Sequence, residues 1–103
     1  MTVLDWLRQR SPAPPRRLTD RIGEVLGRRG HADSRDAPEH CIAAAAQLLL
    51  DLAERSSVGR ESALDLLTVD ALVTYAFESA AAQPATIPMR ADAAMAQLAA
   101  AGG

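Results

Sequence analysis

Ala37 to Arg55 reads APEHCIAAAAQLLLDLAER, and this stretch decides the fold. Four successive alanines and four leucines dominate it, whereas valine and isoleucine are sparse and scattered along the chain. Alanine and leucine are strong helix formers, and strands prefer β-branched residues. The composition of this stretch therefore predicts a long helix and predicts no sheet.

The start of that helix carries the pattern of a capping box. Asp36 stands at the cap position, Pro38 falls in the first turn, and Glu39 follows three residues after the cap. The helix is expected to run to about Ser56. Its buried stripe is predicted at helical spacing, with Leu48 and Leu50 widening it, and comprises Ile42, Ala45, Ala46, Leu49, Leu52 and Ala53. A stripe this wide indicates a central helix or one half of an interface.

A second long helix is predicted from about Arg60 to Ala82, after the short connector of residues 57–59. Two apolar stripes can be drawn on it, which is typical of buried helices. One consists of Leu64, Leu67, Ala71, Leu72 and Tyr75, and the other of Leu66, Val69, Val73, Phe77 and Ala80. The polar residues Asp65, Asp70, Thr74 and Glu78 are expected along the remaining outer strip.

Two shorter helices are predicted upstream. Thr2 caps a helix over residues 3–10, and the proline-rich linker of residues 11–15 breaks it. Pro15 then opens a helix that Gly30 would end. The apolar side of the first helix is Val3, Leu4, Trp6 and Leu7, and that of the second is Leu18, Ile22, Val25 and Leu26.

A fifth helix follows the break at residues 83–86. Pro88 opens it, the two final glycines finish it, and its helical stripe is Ile87, Ala91, Ala94, Met95 and Leu98. The expected fold is all-α, a small antiparallel bundle of four to five helices. We expect one domain over residues 1–103, with a short helix at 2–10 and the linker at 11–15 preceding a main bundle at 16–101.

Amino-acid composition and cysteine usage indicate the organism and the compartment of such a chain. All eleven basic residues are arginine, which with abundant Ala, Gly and Pro suggests a GC-rich bacterial coding sequence. The single cysteine, Cys41, cannot form an intramolecular disulfide and needs no oxidising compartment. No apolar run approaches a membrane span, and the first ten residues lack the order of a signal peptide. We expect a cytoplasmic protein with no membrane span.

The densest group of metal-ligand residue types lies between residues 31 and 41. The candidate ligands are His31, Asp36, His40 and Cys41, since imidazole, carboxylate and thiolate all bind zinc or iron. Their spacing matches none of the established ligand patterns, and Asp36 with Glu39 also fits a helix cap. We therefore expect no metal, no cofactor and no catalytic residue, and a metal-binding sensor or small metalloenzyme is the alternative.

The arginines of the first thirty residues are the candidates for partner binding. Arg16, Arg17, Arg21, Arg28 and Arg29 lie off the apolar stripe of the second helix. In all, residues 1–30 hold seven arginines and three acidic residues, a charge of +4 within a total of −2. This face could contact an acidic protein surface or phosphates. The acidic remainder of the chain, at −6, argues against a nucleic-acid footprint.

The sequence favours a non-enzymatic interaction or accessory module over an enzyme. No catalytic constellation stands out, and the two long helices carry apolar residues on more sides than a five-helix bundle needs. Such helices would bind a protein partner or a second copy of the chain. Metal binding by the His31 to Cys41 segment, and nucleic-acid binding by the arginine-rich helix at residues 15–29, remain the alternatives.

Overall fold

Five α-helices follow one another along residues 1–55 and 59–102, the part of the chain that the computed structural model describes. They are α1 (Val3–Arg8), α2 (Arg16–Leu26), α3 (Ala37–Arg55), α4 (Arg60–Ala81) and α5 (Ile87–Gly102). Within these residues the only extended pairing is an isolated bridge between Thr2 and Asp33. The all-α prediction is confirmed. The predicted helix end at Ser56, the connector residues Ser57 and Val58, and Gly103 lie outside the described residues.

α1 begins at the predicted cap. The Thr2 hydroxyl accepts a hydrogen bond from the Asp5 amide at 3.1 Å, and the Asp5 carboxylate accepts one from the Thr2 amide at 3.2 Å. The pKa of Asp5 is lowered, first by the hydrogen bond from the Thr2 backbone amide and then by the Thr2 side chain, because both favour the carboxylate. The helix ends at Arg8 rather than at residue 10, since the Gln9 and Arg10 amides turn back to carbonyls three residues earlier.

α2 ends four residues before the predicted glycine. Pro15 is the cap residue, and Gly27, with φ of +53° and ψ of −127°, terminates the helix in a conformation that L side chains rarely adopt. A 3₁₀ helix, Gly27–His31, continues the chain. Gly30 is therefore not a helix end. It is buried beneath the Leu4 side chain, where it lets α1 approach closely.

α3 and α4 form the central antiparallel pair, but the buried side of α3 agrees with the predicted stripe only at Ala45 and Leu48. Its buried residues are Ala37, Pro38, Cys41, Ala44, Ala45 and Leu48. Ile42, Leu49 and Leu50 of the predicted region are 44%, 51% and 60% exposed. The buried side carries the smaller residues, which allow the close helix approach that larger aliphatic side chains prevent.

α4 likewise buries neither predicted stripe in full. Its buried positions are Ser62, Asp65, Thr68, Leu72, Ala76 and Ser79, four of which are polar. The placement of Asp65 on the outer strip was wrong, since that residue is only 3% exposed. Leu66, Leu67 and Phe77 lie outside at 55%, 58% and 70% exposure.

α1 and α2 cover one side of the central pair. The ring of Trp6 in α1 meets Tyr75 of α4 edge to face, with centroids 6.4 Å apart and an interplanar angle of 88°. Arg10 stacks on Trp6 at 4.1 Å from the ring centroid. Ile22 and Leu26 of α2 are buried in the same core as Leu72. This core is thus built on one face of the α3–α4 pair.

The chain enters α3 through a cap that differs from the predicted one. Asp33, not Asp36, caps the preceding 3₁₀ turn, Ser34–Asp36, by accepting from the Arg35 amide at 2.8 Å. Glu39 does not close a capping box, because its carboxylate instead accepts hydrogen bonds from Arg90 of α5. None of the described helices has both the length and the apolar character needed to cross a membrane.

Candidate functional site: an outer apolar face

The four candidate metal ligands do not converge. Cys41 is wholly buried, and burial raises the pKa of its thiol to about 11. His31 and Asp36 are exposed, and the Nδ1 of half-buried His40 lies 3.1 Å from the Arg29 guanidinium, a cation that disfavours a neighbouring metal ion. No three His, Cys, Asp or Glu side chains are grouped as a metal site within residues 1–55 and 59–102.

The five predicted partner-binding arginines also do not form one face. Arg16 and Arg17 lie exposed on the first turn of α2, whereas Arg28 and Arg29 belong to the following 3₁₀ helix. Arg21 turns toward the bundle and binds carboxylates there. The structure thus separates this set into three positions rather than into the continuous basic surface that the sequence suggested.

The structure contains a buried ion-pair cluster around Asp65 that sequence analysis did not predict. The Arg21 guanidinium donates to both Asp65 carboxylate oxygens, at 2.7 and 3.3 Å, and Arg55 donates to the second oxygen at 3.0 Å. Hydrogen bonding by Arg21, followed by that of Arg55, lowers the pKa of Asp65 despite its burial. The sequence signal for this cluster was that Asp65 stands between two leucines. Its arginine partners lie 44 and 10 positions away in the chain.

The Asp65 cluster joins helices rather than presenting a free charge. Arg21 comes from α2 and Arg55 from α3, so one α4 carboxylate holds three helices together. Arg21 also donates to Glu24 at 3.0 Å. Arg21, Arg55 and Asp65 line a shallow cleft. Because both arginines are already paired with carboxylates, we attribute this cleft to the ion pairs that join the helices and not to a ligand site.

A set of exposed large apolar side chains on α3 and α4, the outer apolar face, is the first candidate surface. We define it as Ile42, Leu49 and Leu50 of α3 together with Leu66 and Phe77 of α4, which are 44–70% exposed. At about 100° per residue, all five point away from the sides of α3 and α4 that meet α1 and α2. Ala46 and Ala53 lie among them on α3, also exposed. Apolar patches of this size on a small protein mark interaction sites.

A second apolar surface lies on α5. Every residue from Ala91 to Ala100 is exposed, and Ile87, Met95 and Leu98 are 46%, 66% and 67% exposed. The predicted apolar stripe is therefore present on α5, but no other part of the described chain covers it.

α5 is fixed to the bundle through its first turn. Arg90, whose side chain is 16% exposed, donates to the Thr86 hydroxyl at 2.8 Å, to Glu39 at 2.6 Å and to the Arg35 carbonyl. These bonds join α5 to the amino-terminal end of α3. They leave the remaining turns of α5 projecting as an arm.

The chain was compared with protein families, curated proteins and solved structures, and no match was found in any of the three.

Proposed function

We propose that this chain is a non-enzymatic interaction module that binds an amphipathic helix of another protein molecule on its outer apolar face. The observation that carries the proposal is the exposure of five large apolar side chains along two antiparallel helices. A folded chain of this size gains stability by burying such residues, and here most buried positions of α3 and α4 hold small or polar residues, Leu48 and Leu72 being the large apolar ones. An apolar helix laid along the α3–α4 pair would remove these side chains from water.

The charge pattern supports an apolar ligand over an acidic or a basic one. Around α3, the strip from Ile42 through Ala46 and Leu49 to Ala53 carries no charged residue. On α4, Asp70 is the charged residue beside Leu66 and Phe77 at helical spacing. A bound helix with leucine and alanine on one side would therefore meet few charges that it would have to desolvate.

The cellular setting is part of the same proposal. Exclusive use of arginine and a single, buried cysteine support a bacterial cytoplasmic protein, in which a reduced thiol is the stable form.

Peptide titration tests the proposed function. A dye-labelled amphipathic peptide, unrelated in sequence to this chain and with Leu and Ala at i, i+4, i+7 and i+11, is titrated with the protein and followed by fluorescence anisotropy. We expect saturable binding that Leu49→Glu weakens at least about tenfold. Gln47→Glu adds the same charge on another side of α3 and should leave binding unchanged.

Two outcomes would show that the proposal is wrong. One is a panel of such peptides that does not bind at all. The other is equal binding by the wild type and by Leu49→Glu, provided that circular dichroism shows the variant to be folded.

A further inference from the structure

We infer that the helix received by the outer apolar face is α5 of a second copy of this chain, so that two copies exchange their α5 arms. This inference rests on the proposed function, because it names the partner of the same surface.

α5 needs a partner for its own stability. Its sixteen residues are close to the length at which an isolated helix is marginal in water even when it is rich in alanine. Beyond Arg90 it gains no burial from the described chain, since residues 91–100 are all exposed. Its stripe of Ile87, Ala91, Ala94, Met95 and Leu98 would be covered only by another apolar surface.

The same copy does not supply that surface in this arrangement. Arg90 fixes the base of α5 at Glu39 and Arg35, at the beginning of α3, while the outer apolar face extends along α3 and α4. Ile42, Leu49 and Leu50 of this face are exposed, so the arm does not fold back over the face of its own copy. A second molecule can present its arm to this face, and a two-fold axis then makes both contacts equal.

The dimensions of the two surfaces agree. At 1.5 Å per residue, α5 is roughly 24 Å long and α3 roughly 28 Å long, so the arm spans most of the face. Alanines on α5 and at Ala46 and Ala53 of α3 permit close approach of the helix axes. Three large side chains of the arm and five of the face, at roughly 100 Å² each, give about 800 Å² per copy. This area equals the usual contribution of one partner to a stable interface.

Two exposed carboxylates lie near this contact. Between Ile87 and Gly102 only Arg90 and Asp92 are charged, and Arg90 is already bonded to Glu39. Asp92 lies about 100° or more around the helix from Ile87, Ala91 and Leu98 and about 60° from Met95. On the face, Asp70 stands beside Leu66 and Phe77, and it is exposed like Asp92. The contact therefore has to leave the carboxylates of Asp70 and Asp92 in water at its rim, while apolar groups fill its centre.

Sedimentation velocity of the intact chain, with single substitutions on the arm and on the face, tests the exchange. The wild type is expected to sediment as a dimer with twice the mass of the chain. Leu98→Glu on the arm and Leu49→Glu on the face should each halve that mass. Gln97→Glu and Gln47→Glu, which add the same charge off the two surfaces, should not change it. Circular dichroism checks that the bundle of each variant is folded.

Mixing the two monomeric variants distinguishes arm exchange from other dimers. Leu49→Glu keeps an intact arm and Leu98→Glu keeps an intact face, so an equimolar mixture retains one complete contact and should regain a dimer fraction that neither variant shows alone. A face-to-face dimer would survive Leu98→Glu, and an arm-to-arm dimer would survive Leu49→Glu. Either survival, a mixture that stays monomeric, or a monomeric wild type overturns the inference. A monomeric wild type that binds the unrelated labelled peptide overturns the inference alone and leaves the proposed function standing.

Discussion

The Nε of Arg21 lies 2.7 Å from a carboxylate oxygen of Asp65, across 44 positions of the sequence and between two helices. Asp65 is buried, while 29% of the Arg21 side chain is exposed. The pair therefore combines a desolvated anion with a cation that still contacts water. This geometry favours the ionised carboxylate and raises the pKa of Arg21, chiefly through the Asp65 bond.

Asp65→Asn should destabilise the fold by about 1–3 kcal/mol, because it leaves Arg21 and Arg55 without their common anion. This loss is smaller than the roughly 3–5 kcal/mol of a fully buried broken pair, since both arginine side chains are partly exposed. Chemical unfolding followed by Trp6 fluorescence measures the change. Glu24→Gln removes an exposed partner of the same arginine and should cost no more than about 0.5 kcal/mol. Equal losses in the two variants would contradict the assigned role of Asp65.

Asp65 should also make stability depend on acid pH. Its pKa is lowered in the folded state, so the unfolded chain takes up a proton near pH 4 while folded Asp65 remains ionised. The stabilisation is therefore complete above about pH 4 and is lost as the pH falls through the folded pKa. Below pH 4 the wild type should lose stability more steeply than Asp65→Asn. Asp5 and Asp33 also have lowered pKa values, but they are present in both proteins and cancel from the difference. Parallel curves would exclude this role of Asp65.

Two glycines should respond in opposite ways to alanine. A Cβ at Gly30 would lie 2.7 Å from both Cγ and Cδ1 of Leu4, so Gly30→Ala should displace α1 and cost about 1–3 kcal/mol. A Cβ at Gly23, within α2, meets nothing within 4 Å, and Gly23→Ala should stabilise the helix by about 0.5–1 kcal/mol. Thermal unfolding of both variants checks the difference in sign.

Ser79 should tolerate alanine better than Thr68 tolerates valine. The Ser79 hydroxyl is buried with no hydrogen-bond partner among the described residues, and Ser79→Ala should raise stability by up to about 1 kcal/mol. The equally buried Thr68 hydroxyl donates to the Leu64 carbonyl at 2.8 Å, so Thr68→Val should cost about 1 kcal/mol. A destabilised Ser79→Ala would indicate a partner for that hydroxyl. Denaturant midpoints compare the two variants directly.

Arg90→Ala should loosen α5 while the core stays folded. The guanidinium bonds α5 to Glu39 and Arg35, and few other contacts hold the helix. Amide hydrogen exchange should become faster across the first turns of α5 and remain unchanged in α4. Arg90→Lys keeps the charge but loses the several directed donors, so it should restore only part of the protection. Unaltered exchange in Arg90→Ala would show that the arm is held in another way.

Sequence patterns predicted the helices better than they predicted which sides are buried. All five helices were expected within a few residues of their bounds, because prolines and glycines interrupt runs of strong helix formers. The buried side of α3 was predicted only in part. Ala45 and Leu48 are buried as expected, but Ala44, outside the predicted stripe, also faces the core, and Leu49 and Leu50 face outward. Periodicity identifies stripes, but it does not say which stripe a neighbouring helix covers.

The candidate site was predicted only in outline. An excess of apolar sides on the two long helices indicated an interface, and the outer apolar face corresponds to that excess. The Asp65 cluster and the Arg90 contacts could not be predicted, since each joins residues from distant segments and depends on how the helices pack. The candidate ligands between His31 and Cys41 are close in sequence, but they are divided among two 3₁₀ helices and α3, and Cys41 is buried while His31 and Asp36 are exposed.

Cys41, the chain's only sulfhydryl, lies in the core that α1, α2, α3 and α4 share, and burial keeps its proton bound up to a pKa of about 11. An alkylating reagent cannot reach the Cys41 sulfur while the helices remain packed around it. Where alkylation is faster than reclosing, each modification event would record one opening of the bundle interior, and its rate would equal the opening rate without any engineered probe. Where alkylation is slower, its rate would report the equilibrium population of the opened bundle.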